Sequence, residues 1–124
     1  LLHAKRVNTE EAWEAARNHS GADPLYHGQL AREGFAYYCL VRAEDSGRFD
    51  RAILHLQVLA DSSDLKFKAF GLAGLVVAYA NLGDDGKADQ ANAQLTPAMR
   101  GELEKHSPPM ALLLETTLEQ NFSL

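Results

Sequence analysis

Apolar residues in this chain recur at spacings of three and four, which gathers side chains on one face of a helix, and no stretch sustains the alternation of a half-buried strand. Val, Ile and Thr, the residues that favour strands, are sparse. The pattern predicts seven helices joined by short turns. The first starts at Asn8 or Thr9, with Glu11 three residues after Asn8 in a capping-box relation, and fades at Ser20-Gly21. Pro24 opens the second, which runs from about Leu25 to Asp45 and ends at Ser46-Gly47, where glycine can take a left-handed conformation. The third, Arg48 to Ala60, carries Phe49, Ile53, Leu56 and Leu59 on one stripe. Asp61-Ser62-Ser63-Asp64 supplies a turn and an N-cap for the fourth, which extends to Leu82 and stops at Gly83. Asp85 to Leu95 makes a polar, Ala-rich fifth helix, Thr96-Pro97 caps a sixth through about His106, and Ser107-Pro108-Pro109 starts a last one ending near Gln120.

The fourth helix is the most apolar. Ala69 to Gly83 is free of charge over 15 residues, short of the roughly 20 that a bilayer span needs, so it reads as a buried helix. Gly71 and Gly74 stand on adjacent turns of it. Two such glycines let another helix approach closely, at a propensity cost of about 1 kcal/mol each relative to Ala.

Internal repetition organises these elements. When Gly47 is laid on Gly83, a register of 36 residues, Cys39 falls on Leu75, Leu40 on Val76, Ala52 on Ala88 and Leu59 on Leu95. Ala69 to Leu95 offers Leu75, Val76, Tyr79, Gly83 and Ala88 in order; the other copy keeps Gly47, Ala52 and Leu56. On these residues the chain resembles the tetratricopeptide repeat, a helix-turn-helix of 34 residues. The resemblance covers roughly residues 9 to 95. Its departures are Ala43 in place of a Tyr, Asn92 where an aromatic is expected, and the missing end-of-repeat Pro at Asp61. A further shift by the register puts Trp13 on Phe49 and Ala16 on Ala52, so that the first helix reads as the second half of a preceding unit. The chain is also similar to the periplasmic domain of ancillary subunits of the Sec translocon, which implies a membrane helix ahead of Leu1.

The resemblance implies an all-α fold: antiparallel helical hairpins stacked as a short right-handed superhelix in one domain, residues 1–124. Its repeat units are about 33–60 and 69–95, with a half unit at 9–19 and a C-terminal cap at 97–121. A hairpin of this kind cannot bury its apolar face alone, and stacking completes the core. The first helix of each hairpin in the family lines a concave groove. Carried over position by position, the lining residues are Tyr37, Val41 and Glu44 in one hairpin and Phe70, Val77 and Asn81 in the next. Such a groove suits an extended or helical peptide with hydrophobic anchors. The family's clamp for a C-terminal carboxylate needs Lys, Arg and Asn there, and only Asn81 qualifies.

Charge narrows the partners. Twelve Lys and Arg against 17 Asp and Glu give a formal net charge of −5, and the basic residues read as scattered along the chain. Nucleic acids and anionic membranes want a basic patch, so the expected partner is a protein or peptide. The segment itself is expected not to insert into a membrane.

Catalytic and metal-binding patterns are weak. Cys39 is the only cysteine, which excludes an intrachain disulfide and a CxxC zinc site and leaves the cytoplasm and the periplasm both open. Mid-helix between Tyr38 and Leu40, it reads as a buried structural thiol. His3, His19, His27, His55 and His106 fall on different elements, none at the i, i+4 spacing of a helical metal pair. Asp84-Asp85-Gly86-Lys87 begins like a calcium loop, but Gly86 and Leu95 then occupy positions that need oxygen ligands. A hairpin turn with N-cap candidates explains it better. The expectation is a non-catalytic interaction module without cofactor or metal, of bacterial envelope-assembly, secretion or chaperone-associated systems. Its alternative is a homodimer formed through the Leu112–Leu114 run, and an enzyme with a dispersed site ranks behind both.

Overall fold

A computed structural model describes residues 24–122, which form six helices and, among these residues, no strand. They are α1 (Pro24–Ser46), α2 (Asp50–Ala60), α3 (Leu65–Asn81), α4 (Asp85–Gln94), α5 (Pro97–His106) and α6 (Pro108–Phe122). The helix expected at 9–19 lies outside the described residues; the other six fall within about two residues of their expected bounds.

Local chemistry sets those bounds. Gly47 and Gly83 both adopt positive φ, 74° and 78°, a conformation open to glycine at little steric cost. They close their helices differently. Gly47 N–H donates to the Ala43 carbonyl at 2.7 Å, the simple left-handed cap. At the end of α3, Asp84 N–H reaches the Tyr79 carbonyl at 2.9 Å while Gly83 N–H takes Ala80 at 3.1 Å, the Schellman pair of bonds. Three helix starts are capped by side chains: Asp64 accepts from Lys66 N–H, Asp84 from Lys87 N–H and Thr96 from Met99 N–H. The Asp84 turn is therefore a helix cap.

The α1–α2 and α2–α3 pairs run antiparallel. Arg32 and Gln29 of α1 reach His55 and Ser62 across the α1–α2 pair, and Gln57 of α2 donates to the Tyr79 hydroxyl of α3 at 3.2 Å. The core is organised around α3. Twelve of its 17 residues are buried, and it packs against all five other described helices. Phe67, Leu56, Leu59, Val76 and Met110, from α2, α3 and α6, are wholly enclosed in one cluster with Phe35 and Leu40 of α1. A close approach of α2 to α3 makes this possible. A Cβ placed on Gly71 would collide with the Ala60 backbone nitrogen and come within 2.7 Å of the Leu56 carbonyl, whereas one on Gly74 would strike the Leu56 side chain.

His55 departs from the sequence reading, which gave it no role. It is buried at 8% exposure, its Nδ1 3.0 Å from Arg32 Nη1 and its ring edge-on to Phe35 at 4.7 Å. A guanidinium can only donate. The Nδ1 atom therefore accepts, which fixes the neutral Nε2–H tautomer and ties α1 to α2 through a polar bond inside the apolar contact.

Ala52 and Ala88, the matching positions of the register, are both at 0% exposure. Ala52→Leu or Ala88→Leu is expected to overpack its helix contact and cost roughly 1–3 kcal/mol. Gln90→Leu, at an exposed position on the same helix as Ala88, should change stability by less than about 0.5 kcal/mol. Urea denaturation of the three variants makes the comparison, and an unchanged midpoint for Ala88→Leu would contradict the packing.

Candidate interaction surface

The six expected groove residues separate into two groups. On α1, Tyr37 is half-buried against the core and Val41, one turn on, is 44% exposed. With Tyr38 and Arg42 they line a cleft of about 340 Å3. The Glu44 side chain lies outside the described part of the structure. On α3 the expectation of an open lining fails. Phe70 and Val77 are 3% and 1% exposed and belong to the core cluster, because helices pack around α3 on every side. Asn81 is exposed, and its amide donates back to the Val77 carbonyl at 2.8 Å, closing the end of its own helix. Of the apolar residues at the expected lining positions, only those on α1 therefore remain accessible.

A second cleft adjoins the first and shares Tyr38 and Arg42 with it. It holds about 260 Å3 and is lined by Tyr38, Cys39, Arg42, Ser46, Arg48 and Arg51. Here the structure corrects the view of basic residues as scattered, since the left-handed turn at Gly47 folds Arg48 and Arg51 back beside Arg42. Tyr38 organises the site. Arg42 donates its Nε–H to the Tyr38 hydroxyl at 3.3 Å and lies 5.4 Å from the ring centre. The hydroxyl holds the guanidinium above its ordinary range, with the charge of Asp45 adding to the effect. Arg48 pairs with Asp50 at 3.1 Å, and this hydrogen bond keeps the Asp50 carboxyl below its usual range. The stability from that pair is present above the ordinary carboxylate pKa and lost on acidification through the lowered one. Both side chains are about two-thirds exposed, 69% and 65%, so water screens the pair.

A third cleft, about 400 Å3, lies between α5 and α6. Leu103, Ala111, Leu112, Leu114 and Leu118 line it together with Arg100, Glu104 and Glu115. Leu112 is 65% exposed. Arg100 is held in place by a 2.7 Å bond from Nη2 to Asn92 Oδ1 of α4.

Reactive groups are dispersed. Cys39 is a buried thiol outside any disulfide, His106 faces Glu102 at 3.0 Å across one helical turn, and among the described residues no three His, Cys, Asp or Glu side chains converge as metal ligands. Among the same residues, no helix is long and apolar enough to cross a membrane. Tyr37 and Val41 are among the expected lining residues, whereas Tyr38, Arg42, Arg48 and Arg51 are not. The one local signal for them was three arginines flanking a helix-ending glycine. Compared with known proteins, the chain matches no family model, no curated protein and no solved structure.

Proposed function

We propose that this chain is a non-catalytic protein–protein interaction module of the tetratricopeptide-repeat type that holds a partner protein or peptide against the outer face of α1. The observation that carries the reading is the cleft between Tyr37 and Val41, an aromatic and an aliphatic side chain one helical turn apart beside solvent. Anchors of this kind, spaced along a helix, are the contacts a groove-bound peptide uses. Two successive repeat units, α1–α2 and α3–α4, fit the matched left-handed glycines and the matched buried alanines, with α5–α6 as the terminal cap that such arrays require. A net charge of −5 favours a protein over a nucleic acid as partner. Bacterial envelope assembly, secretion or chaperone-associated complexes are the settings that fit this architecture.

The test is capture from a cell extract with the full chain, comparing Tyr37→Ala/Val41→Asp with Gln90→Ala. Proteins retained by the parent and by Gln90→Ala should be lost from the double variant, about 2 kcal/mol or more in affinity if both residues are anchors, while circular dichroism stays unchanged. Equal capture by all three proteins would remove α1 as the partner face.

A second reading has its own observation. Leu112 is exposed in the lining of the α5–α6 cleft, which also includes Arg100, Glu104 and Glu115, and mixed charges with an apolar patch can complement a second copy of themselves about a two-fold axis. Homodimerisation through α6 predicts that Leu112→Asp sediments as a monomer where the parent sediments as a dimer. A parent that is monomeric at high concentration ends this reading.

A further inference from the structure

We infer that the cleft between α5 and α6 is a second docking site, and that its occupant is a basic amphipathic helix of another protein. This goes beyond the α1 partner face and does not depend on it. On α6 the lining runs from Pro108 to Leu118, about 15 Å of helix axis at 1.5 Å per residue. A helix of about three turns matches that length, and a groove between two helices takes such a helix by its apolar face. The apolar lining is graded. Leu103 and Leu114 are core residues at 2% and 4% exposure, Ala111 and Leu118 are half-buried, and Leu112 at 65% is the most exposed large apolar side chain among the described residues. A helix pair that faced only water would carry polar residues at such positions.

Charge selects the occupant. The lining sets two carboxylates, Glu104 and Glu115, against one guanidinium, Arg100, in a chain of net charge −5. Both carboxylates are exposed, and among the described residues neither makes a hydrogen bond or an ion pair. Arg100 stands one turn from Glu104, yet its Nη2 donates to Asn92 Oδ1 of α4 at 2.7 Å. Glu104 and Glu115 therefore keep their acceptor oxygens for Lys or Arg on an incoming helix. In such a complex the apolar contacts supply most of the affinity, while the charges set which sign of partner is taken.

A second copy of the chain meets these charges less well. α6 has no Lys or Arg, and its charged residues are Glu115 and Glu119. Two copies packed through α6 bring carboxylates toward carboxylates, and like charges across an interface oppose association. A basic helix instead places opposite charge against both glutamates and its apolar face against Leu112.

The experiment is fluorescence anisotropy with the full chain and a labelled peptide Lys-Leu-Ala-Lys-Leu-Leu-Ala-Lys-Leu-Ala-Lys, whose leucines share one helical face, beside its counterpart with Glu for every Lys. The basic peptide should bind and weaken as salt is raised, with the Glu peptide on the order of tenfold weaker. Glu104→Gln/Glu115→Gln and, separately, Leu112→Ala should each weaken the basic peptide several-fold, with the far-ultraviolet spectrum unchanged. Asp61→Asn/Asp89→Asn removes the same charge at exposed positions outside the cleft and should leave binding within about twofold of the parent. Equal losses from the two acidic pairs would reduce the effect to the overall charge of the chain and overturn the site. Tyr37→Ala/Val41→Asp should leave this peptide bound; its loss there would move the peptide to α1 and overturn the inference while the α1 reading stands. Two other occupants have their own outcomes. A parent that sediments as a dimer, excludes the peptide and becomes monomeric on Leu112→Asp assigns the cleft to a second copy. Tighter peptide binding by Lys5→Gln/Arg6→Gln than by the parent assigns it to the chain's own basic stretch at Lys5 and Arg6. Either result overturns docking of a partner helix.

Discussion

Gly71→Leu is expected to be among the most damaging single substitutions in the chain, costing about 3 kcal/mol or more. The obstacle is backbone. Even the first carbon of a side chain at Gly71 collides with the Ala60 nitrogen and crowds the Leu56 carbonyl and the Ala60 Cα, at 2.7 and 2.8 Å. Relief therefore requires α2 to move away from α3, opening the contact between the two helices that share the largest part of the core. Against a total stability of typically about 5–15 kcal/mol, such a loss lowers the urea midpoint well outside error. Gly101 provides the control, because it is a helical glycine in α5 with nothing near its missing Cβ. Gly101→Ala should raise stability by about 0.5–1 kcal/mol, through helix propensity and a less flexible unfolded chain. Gly74→Ala should fall between them, since the group it meets is the Leu56 side chain, which can change rotamer. Identical urea midpoints for Gly71→Leu and the parent would show that α2 and α3 are not this close.

Phe67→Ala is expected to cost about 3–5 kcal/mol, the range for removing an enclosed aromatic ring. Phe67 is at 0% exposure near the start of α3, and its loss removes both the transfer free energy of the ring and the packing around the cavity left behind. Leu112→Ala is the comparison. At 65% exposure on α6 it should shift stability by no more than about 0.5 kcal/mol. Chemical denaturation followed by circular dichroism measures both, with the denaturant slope checked for a change in cooperativity. A loss below about 1 kcal/mol for Phe67→Ala would mean that the core around α3 is loosely packed.

These two sites carry different lessons for the partner face. Phe70 and Val77 sit in the same enclosed helix as Phe67, so substituting them tests folding rather than binding. Tyr37 is half-buried and Val41 largely exposed, so substitutions there test the proposed partner face while leaving the core intact.

How much of this was legible beforehand follows from the range over which each feature is decided. Helix ends at Gly47 and Gly83, and caps at Asp64, Asp84 and Thr96, are settled by hydrogen bonds spanning two to five residues, so the sequence alone places them. The close approach at Gly71 and Gly74 was likewise readable, because two small residues on adjacent turns leave room that only another helix can fill. The burial of Ala52 and Ala88 followed from the repeat register. Orientation was a different matter. Apart from Lys66, Lys68, Tyr79 and Asn81, α3 is apolar or small on all sides, and a helix without a polar face carries no periodic signal for which side meets its neighbours. Only the packing of α1, α2, α4, α5 and α6 around it decided that Phe70 and Val77 are enclosed. The same holds for His55, whose Arg32 partner is 23 residues away, and for the arginine cleft. There the residues read as scattered until the turn at Gly47 reversed the chain, because charge adds up over distance in space and separation in sequence does not measure it.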